Sequence, residues 1–182
     1  MIRLPSKNVA AKARLQTTTQ TLLKNQIKAR VKQIEIQIRQ VDAAIAKKVE
    51  LDEALSNKLA ILISIPGIAE TTAFSMLIEI PELGTLEGKQ AASLAGLAPM
   101  SWQSGKWQGK ERIQGGRAFL RRAIYMPALV ATRCNPGLKA KYDQLIRAGK
   151  SGKVAVTAIM RKLIVMANAL LRDGRKWSEL RP

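Results

Sequence analysis

The chain contains no histidine and a single cysteine, Cys134. That removes His/Cys zinc sites, disulfides within the chain and a Ser-His-Asp triad. A lone thiol fits a reducing cytoplasm, and Cys134 reads as a small buried hydrophobe near a helix end. Aromatics are scarce, at 4% of residues. No apolar run approaches the ~18 residues of a membrane span, and no signal-peptide core follows Met1. The expectation is a cytoplasmic protein with no membrane partner. Acids are also few, 13 against 31 Lys and Arg, for a formal net charge of +18. Such an excess points to a polyanionic partner, nucleic acid first, with a merely solubilising charge as the alternative. Glu35, Asp42, Glu50, Asp52 and Glu53 all fall in one N-terminal stretch. The other acids are scattered, so a paired-carboxylate metal site is hard to build and no cofactor is expected on this chain alone.

The positive charge is uneven. Residues 61–100 carry a net −3 (one basic, four acidic), whereas residues 101–182 carry +14 (18 basic, four acidic). The basic surface therefore belongs mainly to the C-terminal part.

Residues 1–16 read as a frayed start. From Thr17 to Leu59 there is neither proline nor glycine, and Leu23, Ile27, Val31, Ile34, Ile38, Val41, Ile45 and Val49 recur at steps of three and four. That spacing predicts one helix of about 40 residues, ~60 Å long, with a near-heptad seam. The reading is a coiled-coil dimerisation arm over 17–59; a helix folded back on a core is the alternative. Residues 60–178 then read as a compact helical domain and 179–182 as a tail, so the fold class is mainly α.

The domain opens with a helix, an Ile65-Pro66-Gly67-Ile68 turn and a second helix. This resembles a helix-hairpin-helix, in which hairpin amides near Gly67 contact a phosphate without reading sequence. Ala69 stands where a second glycine is usual, and the local charge is negative. A pure packing unit is thus an equal alternative.

The stretch from Gly96 to Lys110 is a loop rich in Gly, Ser and Lys, with Trp102 and Trp107. Gly105 and Gly109 permit left-handed backbone, Lys106 and Lys110 supply cations, and Ser104 places a hydroxyl on a tight turn. Such a loop can hold a phosphodiester near a nucleophile; an ordinary turn serine is the alternative. The tryptophans can stack on bases or anchor the loop. Alternation in Lys106-Trp107-Gln108 and Arg112-Ile113-Gln114 permits a short β-hairpin between them.

Gly115-Gly116-Arg117 opens a helix over about 118–132, with Phe119, Leu120, Ala123, Ile124, Met126, Leu129 and Val130 as its apolar set and a kink expected at Pro127. Arg117, Arg121 and Arg122 sit where cations oppose the helix dipole, which favours a bound anion. Further helices are expected at about 138–148, with Leu138, Tyr142, Leu145 and Ile146 inward, and 154–172. Between them lies a basic glycine turn bearing Lys150 and Lys153; Arg161 and Lys162 mark the outer face of the last helix. With no histidine as a base, Ser104 is the best nucleophile and the arginines, Arg112 included, are the best charge stabilisers.

Ser64-Ile65-Pro66-Gly67-Ile68, Ile80-Pro81-Glu82-Leu83-Gly84, Leu94-Ala95-Gly96-Leu97-Ala98-Pro99, Gln103-Ser104-Gly105, Gly115-Gly116-Arg117, Tyr125-Met126, Asn135-Pro136, Gly149-Lys150, Lys153-Val154-Ala155 and Met160-Arg161-Lys162-Leu163 stand in one order and spacing. As a set they resemble the C-terminal half of the Piv-like DEDD insertion-sequence transposases, the bridge-RNA-guided recombinases. The resemblance implies a transposase domain joined by a coiled coil to a RuvC-like domain with four metal-binding acids. It implies that Ser104 becomes covalently joined to DNA, that Gly105 and Gly115-Gly116-Arg117 belong to the same motif block, and that Mg²⁺ enters through the RuvC-like domain. The implied partners are DNA, a guide RNA, the RuvC-like domain in cis or trans, and a second copy, as dimer or tetramer. The chain starts near the coiled coil, so the acid-bearing domain is expected to be missing and this chain alone to be inactive. The alternatives are a non-catalytic, sequence-independent nucleic-acid-binding module and a structural coiled-coil adaptor.

Overall fold

A computed structural model describes residues 10, 13–14, 16–17, 20–101, 103–104, 107–108 and 111–178. The expectations for the frayed start and the 179–182 tail fall largely or wholly outside these. The chain divides into two compact units, residues 1–53 and 54–182.

The first unit is dominated by α1 (Thr21–Glu50). At 30 residues it is ~45 Å long. The expected single helix instead stops at Leu51–Asp52, and α2 (Glu53–Ile63) begins anew. Asp52 occupies the position before α2, where a short acidic side chain favours a helix start over continuation. Along α1 the seam residues are only partly covered: Ile27, Val31, Ile34, Ile38 and Ile45 are half-exposed, Leu23 and Val41 exposed, and Val49 alone is buried.

The second unit is built on α7 (Gly152–Arg172). Ala155, Val156, Ile159, Met160, Leu163, Ile164, Ala167 and Leu170 are buried along it at helical spacing. Against it pack α4 (Gly88–Leu94), α5 (Ala118–Cys134) and α6 (Pro136–Arg147), and α3 (Glu70–Glu79) packs on α5. Among the described residues α7 is the one helix long and apolar enough to cross a membrane by length and composition. Its apolar stretch is not a continuous run, since Arg161 and Lys162 interrupt it. Half of the stretch is buried inside the fold, as in a core helix.

Small side chains set the close approaches. Ala91, Ala92 and Ala95 are fully buried at α4, as is Ala131 on α5. The turn before α3 comes so near α5 that a Cβ on Gly67 would lie 2.9 Å from the Pro127 carbonyl and 3.0 Å from Ala131 Cβ. Pro127 does not split α5, which runs unbroken from Ala118 to Cys134. Buried Asn168 joins α7 to the link after α3: its Oδ1 accepts from the Gly84 amide (2.9 Å) and its Nδ2 donates to the Leu86 carbonyl (2.6 Å).

Several side chains lie elsewhere than expected. Cys134 is exposed, its thiol donating to the Val130 carbonyl at 3.3 Å. Phe119, Met126 and Val130 project from α5 into solvent, and Ile146 is exposed on α6. The core stripe of α5 is Leu120, Ile124, Pro127, Ala128 and Ala131, and one helix cannot bury its opposite face on the same neighbour.

Among the described residues four two-residue strands form two antiparallel pairs. β1 (Pro99–Met100) pairs with β4 (Arg112–Ile113), and β2 (Gln103–Ser104) pairs with β3 (Trp107–Gln108). The expected pairing of 106–108 with 112–114 is therefore not the one formed. Each segment pairs instead with a partner upstream of both, giving an inner pair nested within an outer one.

Candidate functional site

The serine loop is an excursion whose two ends meet. Helix α4 closes with Gly96 at φ +65°, its amide donating to the Ser93 carbonyl at 2.8 Å and the Leu97 amide to Ala92 at 2.8 Å. These two bonds are a Schellman closure, which requires a residue tolerant of left-handed backbone. At the far end Gly116 (φ +60°) lies directly on Gly96. A Cβ on Gly116 would stand 2.5 Å from Gly96 Cα and 2.7 Å from the Leu94 carbonyl. The Arg117 amide donates to Leu94 O at 2.9 Å. Residues 94–96 and 115–117 thus form a neck from which the two strand pairs project.

Outward from the neck, Pro99 lies opposite Ile113 and Met100 opposite Arg112. Farther out Gln103 lies opposite Gln108 and Ser104 opposite Trp107. The backbone of Ser104 is thus fixed in a rung, with Gly105 and Lys106 intervening before Trp107. Trp102, Gly105, Lys106, Gly109 and Lys110, and the side chains of Ser104 and Trp107, lie outside the described residues.

The arginines differ in how they are used. The Arg117 guanidinium donates to the Glu79 carbonyl and, as a fork, to Glu82, with Nη1 at 3.3 Å from Oε2 and Nη2 at 3.2 Å from Oε1. The anion that its position before α5 calls for is supplied within the chain. Glu82 is held below the usual carboxylate range, first by a hydrogen bond from its own backbone amide and then by Arg117. Arg121 Nη1 donates to the carbonyls of Gly115 and Ala95, the latter at 3.5 Å. Arg122 is exposed and lies over the Phe119 ring, 5.9 Å from its centroid. Arg112 is exposed on β4.

Beside the neck, Ile113, Ala118, Arg121, Arg122, Tyr125, Thr157 and Met160 line a shallow groove between β4, α5 and α7. The Thr157 hydroxyl donates to the Lys153 carbonyl at 2.9 Å, and Lys153, Thr157 and Arg161 share one face of α7 at i, i+4 and i+8. Of the candidate cations, Arg121 and Arg122 line the groove, and Lys153 and Arg161 stand one helical turn to either side of its Thr157. Lys150 is exposed in the turn before α7 and Lys162 is exposed on it. Gly67 is half-buried against α5, with its flank filled by the Pro127–Ala131 turn. Sequence reasoning left out Tyr125 and Thr157 as groove residues, and Glu82 as the partner of Arg117. The helical spacing of Thr157 from Lys153 was the one available signal.

Among the described residues no group of three or more His, Cys, Asp or Glu side chains is placed to share a metal ion.

Residues 59–143, which enclose α3, α4, the whole excursion and α5, match the family described as "Transposase IS116/IS110/IS902 family". The pilin gene-inverting protein of Moraxella bovis is 32% identical over 146 residues, covering 78% of this chain and 45% of the relative. The corresponding protein of Moraxella lacunata matches to the same extent. An insertion element IS110 protein of 43.6 kDa from Streptomyces coelicolor is 32% identical over 125 residues, covering 67% of this chain and 31% of the relative. The chain thus spans less than half the length of these relatives. Over residues 59–143 the chain is thus similar to the transposases of the IS116/IS110/IS902 family.

Proposed function

We propose that this chain is the serine-bearing domain of a DNA recombinase of an insertion sequence, acting with a RuvC-like domain, a guide RNA and a second copy of itself in the cytoplasm. The observation that carries the reading is the agreement between the family match and the site. The matched segment encloses the neck, both strand pairs and Ser104, and the basic groove opens at the base of the same excursion. The name of the Moraxella relatives, which invert a pilin gene, supports strand exchange as the reaction class.

In this reading Ser104 Oγ attacks a DNA phosphodiester. A serine–phosphate bond forms as the bond to the departing deoxyribose oxygen breaks. The serine proton is lost and the departing oxygen takes one up, so that reversal onto a new strand end restores the serine. Lys106, Lys110, the groove residue Arg122, and Lys153 and Arg161 on α7 balance phosphate charge. Magnesium chemistry belongs to the RuvC-like domain. The half-exposed seam of α1 is the surface for the second copy.

The test is a denaturing-gel search for a covalent protein–DNA adduct on a nicked trapping substrate, with guide RNA, Mg²⁺ and a supplied RuvC-like domain. The wild type is expected to form an adduct that Ser104→Ala abolishes. No adduct from a mixture shown by mobility shift to be assembled on DNA would favour the second reading, a non-catalytic nucleic-acid-binding module. The charge of +18 supports that alternative independently of Ser104.

A further inference from the structure

We infer that Arg121 is a positioning residue, a clamp that holds both ends of the serine excursion together and so sets where β2 presents Ser104. The part concerning Ser104 rests on the proposed function; the clamp itself does not.

Three observations converge. The guanidinium touches the excursion on both sides of the neck, at Ala95 O on the way out and Gly115 O on the way back. Its origin is rigid, because Arg121 stands in the first turn of α5 with its amide donating to Arg117 O at 3.2 Å. The room it occupies is kept open by a missing side chain: a Cβ on Gly96 would collide with Arg121 Nη1 and with Gly115 O. Both bonds leave one nitrogen, Nη1, whose two N–H groups are held in the rigid guanidinium plane, whereas a lysine ammonium rotates freely on a flexible stem. The neighbouring Arg117 ties the same neck to the end of α3 through Glu79 O and Glu82. With both arginines engaged by the fold, the outer pair Pro99–Met100 and Arg112–Ile113 leaves the neck in one fixed direction, and the rung bearing Ser104 continues beyond it.

A phosphate ligand and a clamp differ in measurable ways. Losing a phosphate ligand weakens DNA binding, lowers the slope of log affinity against log salt by about one, and is partly rescued by lysine. Losing a clamp leaves affinity and slope unchanged and slows the chemical step, and lysine does not restore it.

The experiment takes Arg121→Ala and Arg121→Lys in the full chain through three readouts. Hydrogen exchange of amides in 97–114 is expected to accelerate by at least about tenfold in both variants while α7 amides stay protected. The salt slope of DNA binding is expected to match wild type. Adduct formation at saturating DNA in the assembled complex is expected to fall by about 100-fold in both. Unchanged exchange in the excursion overturns the clamp. A reduced salt slope with lysine rescue also overturns it, in favour of a phosphate contact. If Arg121→Ala does not fold, Arg121→Lys, which keeps the charge and the stem, decides by the same measures. If wild type forms no adduct, the serine reading fails, while hydrogen exchange still decides the clamp.

Discussion

The backbone of Gly116 rests on that of Gly96, so close that a Cβ on the former would lie 2.5 Å from the Cα of the latter. Two glycines from opposite ends of one excursion thus share a space that no side chain fits. Gly115, their neighbour, has a similar left-handed φ of +68° yet nothing within 4 Å of where its Cβ would stand. Gly115→Ala is therefore expected to destabilise by backbone strain alone, about 1–2 kcal/mol. Gly116→Ala adds a backbone collision and is expected to cost on the order of 4 kcal/mol. Urea denaturation of the two variants side by side measures the difference, and equal losses would rule out the neck packing.

Glu82 is exposed and paired with Arg117, and its folded-state pKa is depressed. The pair's contribution is present above the unfolded-state pKa and is lost as pH falls through the folded-state value. In Arg117→Met the carboxyl midpoint, followed by carbon NMR, is expected to move up but not all the way to normal. The largest cause of its depression, the hydrogen bond from its own amide, survives that substitution. A midpoint that does not move would mean the fork does not persist in solution.

Asn168 is 1% exposed and satisfies a donor and an acceptor of the link after α3. Asn168→Ala leaves the Gly84 amide and the Leu86 carbonyl without their partner. We expect a loss of about 2–4 kcal/mol with an unchanged denaturant slope. A loss well under about 1 kcal/mol would show that water replaces both bonds.

The seam of α1 gives the fourth prediction. If Ile34 and Ile38 meet a second copy, Ile34→Asp with Ile38→Asp removes two buried side chains and weakens self-association by at least about 100-fold. Sedimentation equilibrium reads this directly. Association unchanged by the double substitution would exclude the seam as the contact.

The helices were legible in the sequence because their apolar periodicity is long. Over α7 the buried set repeats for about six turns, and its sequence-stated start at 154 differs from Gly152 by two residues. The break at Leu51–Asp52 was hard to read, since neither proline nor glycine marks it; its signs are that the seam ends at Val49 and that Asp52 suits a helix start. The strand partners were misassigned for a different reason. Two residues carry too little alternation to specify a register, and the partners were fixed by the neck. The partners of the arginines were not legible either. Arg117 meets Glu79 and Glu82 from 38 and 35 residues away, and Arg121 meets Ala95 from 26. No local spacing rule reaches that far.

Because the excursion leaves and re-enters the helical core at a single point, its orientation is a property of the socket and not of its own sequence. Residues 97–114 are in that sense a cartridge. A different hairpin spliced between Gly96 and Gly115 would inherit the same aim relative to α5 and the groove. Variation in the loop can therefore proceed without disturbing the core, whereas variation at Gly96, Gly116 or Arg121 alters every loop the socket could hold.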